Sequence, residues 1–152
     1  MINRYKYSLP IGFIEIVDNG SEITGIHITD NCNNDGVNSE LSERAYTELN
    51  EYFEGKRKSF DLPIKAEGTE FQINVWKELT EIPYGETISY GELARRIGNP
   101  KASRAVGGAN NKNPIIIVIP CHRVIGANGS LVGYGGGIEV KRYLLDLEKN
   151  FK

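Results

Sequence analysis

Ser89-Tyr90-Gly91-Glu92-Leu93-Ala94-Arg95-Arg96-Ile97-Gly98-Asn99-Pro100-Lys101-Ala102-Ser103-Arg104-Ala105-Val106-Gly107-Gly108-Ala109 decides how the chain is read. Ser89 and Glu92 have the spacing of a capping box, and Leu93, Ala94 and Ile97 make one apolar face. Gly98 suits a helix C-terminus, Asn99 a new cap and Pro100 a first helical position. Two short helices with a tight turn between them predict a helix-turn-helix, its second helix running from Pro100 to about Ala109. Ala102, Ser103, Ala105, Gly107, Gly108 and Ala109 are all small, and glycine costs a helix roughly 1 kcal/mol against alanine. Such a helix lets its backbone come close to another helix or to a DNA groove. Arg104 is its one long side chain; it either snorkels to solvent or reaches a partner.

Upstream, Thr69 and Gln72 form a further capping box. Phe71, Val75, Leu79 and Ile82 follow at helical spacing with Trp76 beside them, and Pro83-Tyr84-Gly85 closes that helix. Lys65-Ala66-Glu67-Gly68 reads as a junction. Before it, Phe13, Ile14 and Ile16 precede the turn signal Asp18-Asn19-Gly20-Ser21, and Ile23, Ile26 and Ile28 follow, which predicts antiparallel strands over 4–29. Leu41, Ala45, Leu49, Tyr52 and Phe53 predict a helix stopped by Gly55, and Phe60 to Ile64 a short extended piece. The expected organisation is a small α/β domain over 1–65 and a mainly helical domain over 69–152.

Downstream, Asn113-Pro114 is a loop, and the β-branched run Ile115 to Ile119 predicts a buried strand. That run delivers Pro120-Cys121-His122-Arg123-Val124. Asn128-Gly129 predicts a hairpin in which Val124-Ile125 and Leu131-Val132 pair as a wing. Gly133-Tyr134-Gly135-Gly136-Gly137 lacks the spacing and lysine of a phosphate loop and suits close approach to a flat ligand. The last helix presents Val140, Tyr143, Leu144 and Leu147 as its buried face, with Glu148 near its end.

Composition sets bounds. A 39% hydrophobic and 25% charged chain of 152 residues is an ordinary folded protein rather than a disordered one. The N-terminus lacks the apolar core of a signal peptide, and no apolar run approaches a membrane span, so a cytoplasmic protein with no membrane association is expected. Two cysteines in dissimilar settings are no disulfide framework. Residues 1–67 carry seven Lys and Arg against twelve Asp and Glu; residues 68–152 carry eleven against eight. Arg95, Arg96, Lys101, Arg104 and Lys112 fall in a span without an acidic residue, either a solvated face or a stripe that attracts phosphates.

Cys121 has the setting of a nucleophile; Cys32, in Asn-Cys-Asn-Asn-Asp-Gly, does not. A thiol is mostly protonated at neutral pH and needs a base, for which His122 is the obvious choice. Adjacent side chains do not face one another on a turn or a strand, so a bridging water is more natural than a direct bond. The motif alone leaves an inert buried cysteine, a Cys-His protease and a redox-sensing thiol as alternatives.

Pro120-Cys121-His122-Arg123-Val124, with Arg104-Ala105-Val106-Gly107-Gly108 before it and Gly133-Tyr134-Gly135-Gly136-Gly137 after it, resembles the O6-alkylguanine-DNA alkyltransferases. The resemblance runs from Thr69 to Glu148 and is weaker over 1–65. It implies a ribonuclease H-like N-terminal domain and a winged-helix-like C-terminal one. It implies a one-shot repair protein that needs no cofactor, binds duplex DNA in the minor groove, flips the damaged guanine and takes its alkyl group onto Cys121. By the same resemblance, His122 is the water-mediated base, Glu148 orients it, Asn113 braces the turn at the cysteine, and Tyr90 donates to the leaving guanine. Arg104 is the finger that fills the vacated stack. Ala102, Ser103, Gly107, Arg95 and Lys101 lie against DNA. Tyr134, Gly135, Gly136, Val124, Asn110 and Ile116 line the base pocket, the carbonyls of Cys121 and Val124 accept from the guanine amine, and Lys141 lies near the loop. The zinc ligands of some members are missing, so no metal is expected. A monomer is expected; O4-alkylthymine as a further substrate and cooperative binding along DNA stay open.

Overall fold

The computed structural model describes residues 2–131, 134 and 137–152. The chain divides into two compact units, Met1–Glu67 and Gly68–Lys152.

In the first unit, β1 (Asn3–Leu9), β2 (Gly12–Asp18) and β3 (Ile23–Thr29) form an antiparallel meander in sequence order. Alternation puts Ile14, Ile16, Ile23 and Ile26 into the core while Phe13 and His27 face out. The turn after β2 is set by Gly20 at φ +92° and by Asp18, whose carboxylate accepts from Gly20 N–H at 2.8 Å and Asn3 Nδ2 at 2.9 Å. Helix α1 (Glu40–Phe53) lays Ala45, Leu49 and Tyr52 on the inside and starts from a capping box between Ser39 and Ser42. Gly55, at φ +76°, follows its end, and Ile64 bridges to Ile23.

Among the described residues, the second unit carries the remaining helices. Helix α2 (Glu70–Leu79) opens on the expected Thr69–Gln72 box and ends one turn before Pro83. It buries Val75, Trp76 and Leu79, and Trp76 Nε1 donates to the carbonyl of Ala109 at 2.9 Å. A two-residue strand, β4 (Ile88–Ser89), leads into α3 (Tyr90–Arg96), and α4 (Ser103–Asn111) follows. Ser89 caps α3, but Glu92 turns out to Arg95 and Arg96 at 2.8 and 3.0 Å, so the second capping box is only half made. The same contacts compensate two of the five cations in the basic stripe.

Two further expectations are corrected. Helix α4 starts at Ser103, not Pro100: residues 99–102 form a turn closed by Ala102 N–H on the carbonyl of Asn99 at 3.0 Å, and Ala102 gives no side-chain cap. Ile115 to Ile119 is no strand but a tight turn, in which Ile119 N–H returns to the carbonyl of Ile115 at 3.0 Å. After a 3-10 turn at Cys121–Arg123, β5 (Val124–Ile125) pairs in parallel with β4, while the expected wing partner runs into residues that are not described. Gly126 and Ser130 close the Asn128-Gly129 turn at 2.8 Å, and Val132 lies outside the described residues.

Helix α5 (Ile138–Phe151) buries Leu144 and Leu147 as expected, but with Lys141 and Glu148 instead of Val140 and Tyr143. Tyr143 is exposed. A period count puts charged residues outside by default; here two are inside because they meet partners far off in sequence. Among the described residues no helix is long and apolar enough to cross a membrane.

Removing the α2 cap isolates one local term. Thr69→Ala leaves the Gln72 N–H without its 3.1 Å acceptor and is expected to cost about 1 kcal/mol. Urea unfolding followed by the fluorescence of Trp76, the one tryptophan, reads it; an unchanged midpoint contradicts the assignment.

Candidate active site

The site is built on the turn that precedes Cys121. Ile117 sits there at φ +72°, a conformation that costs a β-branched residue of order 1–3 kcal/mol. The Asn113 side chain holds it: Oδ1 accepts from Ile115 N–H at 3.0 Å, and Nδ2 donates to the carbonyl of Ile119 at 2.7 Å. One amide thus ties both ends of the turn. Pro120, at φ −82° and ψ 64°, then throws the chain into the 3-10 turn that carries Cys121, His122 and Arg123 inward.

All three are buried. Burial pushes the Cys121 thiol up to about 11, against the opposing pull of Asn113 and of the Lys141 charge. Tyr134 lies against the thiol, and burial next to Cys121 raises its phenol. Tyr90 is raised by burial and by Cys121, while Asn110 acts in the opposite direction. Lys141 Nζ reaches Tyr90 Oη at 3.5 Å and lies 5.7 Å from its ring centre; burial lowers its pKa. Asn110 Nδ2 donates to the carbonyl of Cys121 at 3.2 Å, so that carbonyl is already engaged.

His122 turns its Nε2 to Glu148 Oε2 at 2.6 Å. Its Nδ1 is buried and has no hydrogen-bond partner among the described residues. Burial holds the imidazole below its ordinary value, with Glu148 opposing. Burial alone would raise Glu148, but its bonds and charges with His122 and Arg123 outweigh that and hold the carboxyl well below the usual range. Arg123 gives Nε to Oε1 at 2.8 Å and one Nη to Oε2 at 3.0 Å, and Gly85 N–H adds a bond to Oε1 at 3.0 Å.

The structure therefore gathers Cys121, His122, Glu148, Asn113, Asn110, Tyr90, Tyr134 and Ile116 in one unit. Val124 is buried beside them in β5. Arg104 and Lys101 stand out in solvent, and Ala102 and Ser103 are half-buried at the start of α4. Gly107 faces the Tyr90 ring, 3.7 Å from where its Cβ would stand; the open small positions are Ala105 and Gly108. Gly135 and Gly136 lie outside the described residues. Sequence reading gave Arg123 no role. A buried arginine leaves no local signature, since its partners, Ile82, Tyr84 and Glu148, are spread over two distant segments.

A helix-turn-helix unit with a thiol at its buried centre, beside a histidine–glutamate pair, defines the class. The model for the DNA-binding domain of 6-O-methylguanine DNA methyltransferase matches residues 70–150, and that for its ribonuclease-like domain residues 3–66. The chain belongs to this family. It is 61% identical over 111 residues to the methylated-DNA–protein-cysteine methyltransferase of Methanosarcina acetivorans, covering 73% of this chain and 71% of that one. The crystal structure of Mycobacterium tuberculosis O6-methylguanine methyltransferase superposes with a TM-score of 0.92 at 45% identity, over 100% of this chain and 95% of that one. The Mycobacterium tuberculosis OGT in complex with DNA matches with a TM-score of 0.87 at 47% identity, over 96% and 92%.

A carboxylate held below its unfolded value near 4.5 stabilises the fold above that pH and loses the contribution as pH falls toward the folded value. Stability is expected to drop as the solution is acidified below about pH 4.5. Glu148→Gln should flatten that acid limb and cost roughly 3–5 kcal/mol at pH 7, since it strands Arg123. Urea midpoints from pH 3 to pH 7 check both; an unchanged acid limb counts against the assignment.

Proposed function

We propose that this protein repairs duplex DNA by moving the methyl group of O6-methylguanine irreversibly onto its own Cys121. The observation that carries the reading is the Cys121 thiol, buried beside a histidine whose far nitrogen is bound to a buried carboxylate. Membership of the family and the likeness to a relative solved with DNA support it.

An ionised carboxylate can only accept, so Nε2 of His122 carries the hydrogen and Nδ1 keeps its lone pair. Nδ1 takes the Cys121 proton through a water, and Glu148 stabilises the imidazolium that forms. The thiolate attacks the alkyl carbon in line. The carbon–sulfur bond forms as the carbon–O6 bond breaks, and the electron pair leaves with guanine. Tyr90, adjacent to both Lys141 and the thiol, supplies the proton that neutralises the leaving base. A thioether has no simple route back, so each molecule reacts once and needs no cofactor.

The target atom is inside the duplex, so the nucleotide must be turned out of the stack. Arg104 stands exposed on the open side of α4, with Ala105 and Gly108, where a helix can approach a minor groove only about 6 Å wide. It takes the place of the lost base; Lys101 and Arg95 meet phosphates, and Asn110, Ile116, Val124 and Tyr134 border the flipped base. A cytoplasmic monomer, with both thiols kept reduced, completes the reading; cooperative binding along DNA and repair of O4-alkylthymine are questions of the same kind.

Duplex DNA carrying a labelled O6-methyl group decides the matter. Label is expected on the peptide holding Cys121, one per molecule, and none on a Cys121→Ser variant that still binds DNA. Lesion binding with Cys121 unmodified by mass would make the protein a recognition module instead. Arg104→Ala should slow repair of duplex DNA about tenfold or more, since stacking is worth roughly 1–3 kcal/mol per base. It should leave the reaction with free O6-benzylguanine nearly unchanged; equal losses would contradict the finger role.

A further inference from the structure

Arg123 follows the Cys-His pair, yet its side chain turns away from the thiol. Its Nε and one Nη bind the two oxygens of Glu148, its other Nη donates to the carbonyl of Ile82 at 2.8 Å, and the Tyr84 ring lies 5.6 Å from its carbon. Two parallel bonds between a planar guanidinium and a carboxylate fix the carboxylate plane. The Oε2 held in that plane is the atom that His122 Nε2 meets at 2.6 Å.

We propose that Arg123 is a positioning residue: by holding both oxygens of Glu148 it keeps that carboxylate an acceptor and so selects the Nε2–H tautomer of His122. The base at Nδ1 is then a consequence of Arg123, which never touches the thiol or the substrate. The functional meaning rests on the alkyl-transfer reading above; the tautomer does not. Without the guanidinium, a buried carboxyl beside a neutral imidazole takes up a proton, because burial penalises the charged form. A protonated Glu148 donates to Nε2 and drives the ring hydrogen to Nδ1, which removes the base. The other groups around Glu148 are the Gly85 N–H and Tyr84 of the 80–87 segment, Asp146, Lys149 and Lys152 lining the same cleft, and Lys141 acting on His122. Among the described residues, Arg123 bonds both oxygens.

The chain has two histidines, so His27→Asn leaves the signals of His122 alone in a long-range nitrogen–proton spectrum of histidine-labelled protein. At pH 7 the parent should show protonated Nε2 and bare Nδ1. Arg123→Gln, shown folded by circular dichroism, should gain an Nδ1–H population, and Arg123→Lys should restore the parent pattern in part. Single-turnover transfer by Arg123→Gln should fall about a hundredfold at pH 7, the low end of what a general base contributes. It should recover as rising pH ionises Glu148. A folded Arg123→Gln with the parent tautomer, or with a rate lowered equally at every pH, overturns the proposal. Should that variant not fold, the carboxyl carbon shift of Glu148 in the parent decides: constant above about pH 5 supports it, titration there overturns it. Loss of transfer with the Nε2–H tautomer intact in the parent counts against the alkyl-transfer reading alone.

Discussion

The second unit is organised by one buried negative charge. Taking a carboxylate out of water costs several kcal/mol even after the protein relaxes, and the cost is offset only when geometry is good and every lone pair is engaged. Among the described residues, Gly85 N–H, two nitrogens of Arg123 and Nε2 of His122 donate to Glu148. Those donors come from the segment after α2 and from the 3-10 turn, while the carboxylate rides on α5. A single side chain therefore ties three stretches of chain that local interactions would leave independent. The contact that holds the fold together here is also the one that orients the histidine, so stability and chemistry cannot be altered separately at this position.

A second constraint lies just upstream. The chain must reverse between Asn113 and Pro120 to turn Cys121 inward, and it does so with an isoleucine in a left-handed conformation. Such a state persists only when its surroundings over-determine it. The Asn113 amide supplies bonds at both ends, and burial of Ile115, Ile116, Ile117 and Ile119 supplies the rest. Placing Asn113 so close to the thiol has an electrostatic effect as well, since its donor acts against the burial that keeps Cys121 protonated.

These two features explain which parts of the structure were legible in the sequence. The meander, α1 and α2 follow from alternation, from the Asn19-Gly20 turn and from caps whose partners are three residues apart. Cys121 and His122 are legible as adjacent chemistry. Ile115 to Ile119 was not, because a β-branched run has the same appearance whether a neighbouring strand or one asparagine satisfies its backbone. The start of α4 was misread because Asn99-Pro100 is as good a turn as it is a helix start. The inward faces of Lys141 and Glu148 were hidden by the rule that charges stay outside unless paired, and the pairing partners are remote. The roles of Glu148, Tyr90, Arg104 and Asn113 follow from the family resemblance; that of Arg123 shows only in the folded chain.

The resting electrostatics of the site also bear on when it can react. Burial holds the thiol protonated, up to about 11, and holds His122 below its ordinary value, so at neutral pH both partners are uncharged. Moving the proton from one to the other is uphill in the closed, resting protein. That protects Cys121 from the oxidants and electrophiles that the thiolate would attract. The charges that lower the barrier are already in place: Lys141 and the Asn113 amide favour a thiolate, and Glu148 favours an imidazolium. What is missing at rest is an electrophile whose departure consumes the thiolate as it forms. In the proposed reaction the flipped guanine brings that electrophile, and Tyr90 stands by to neutralise what leaves. In that reaction the site spends its one turnover on an alkylated guanine seated within it.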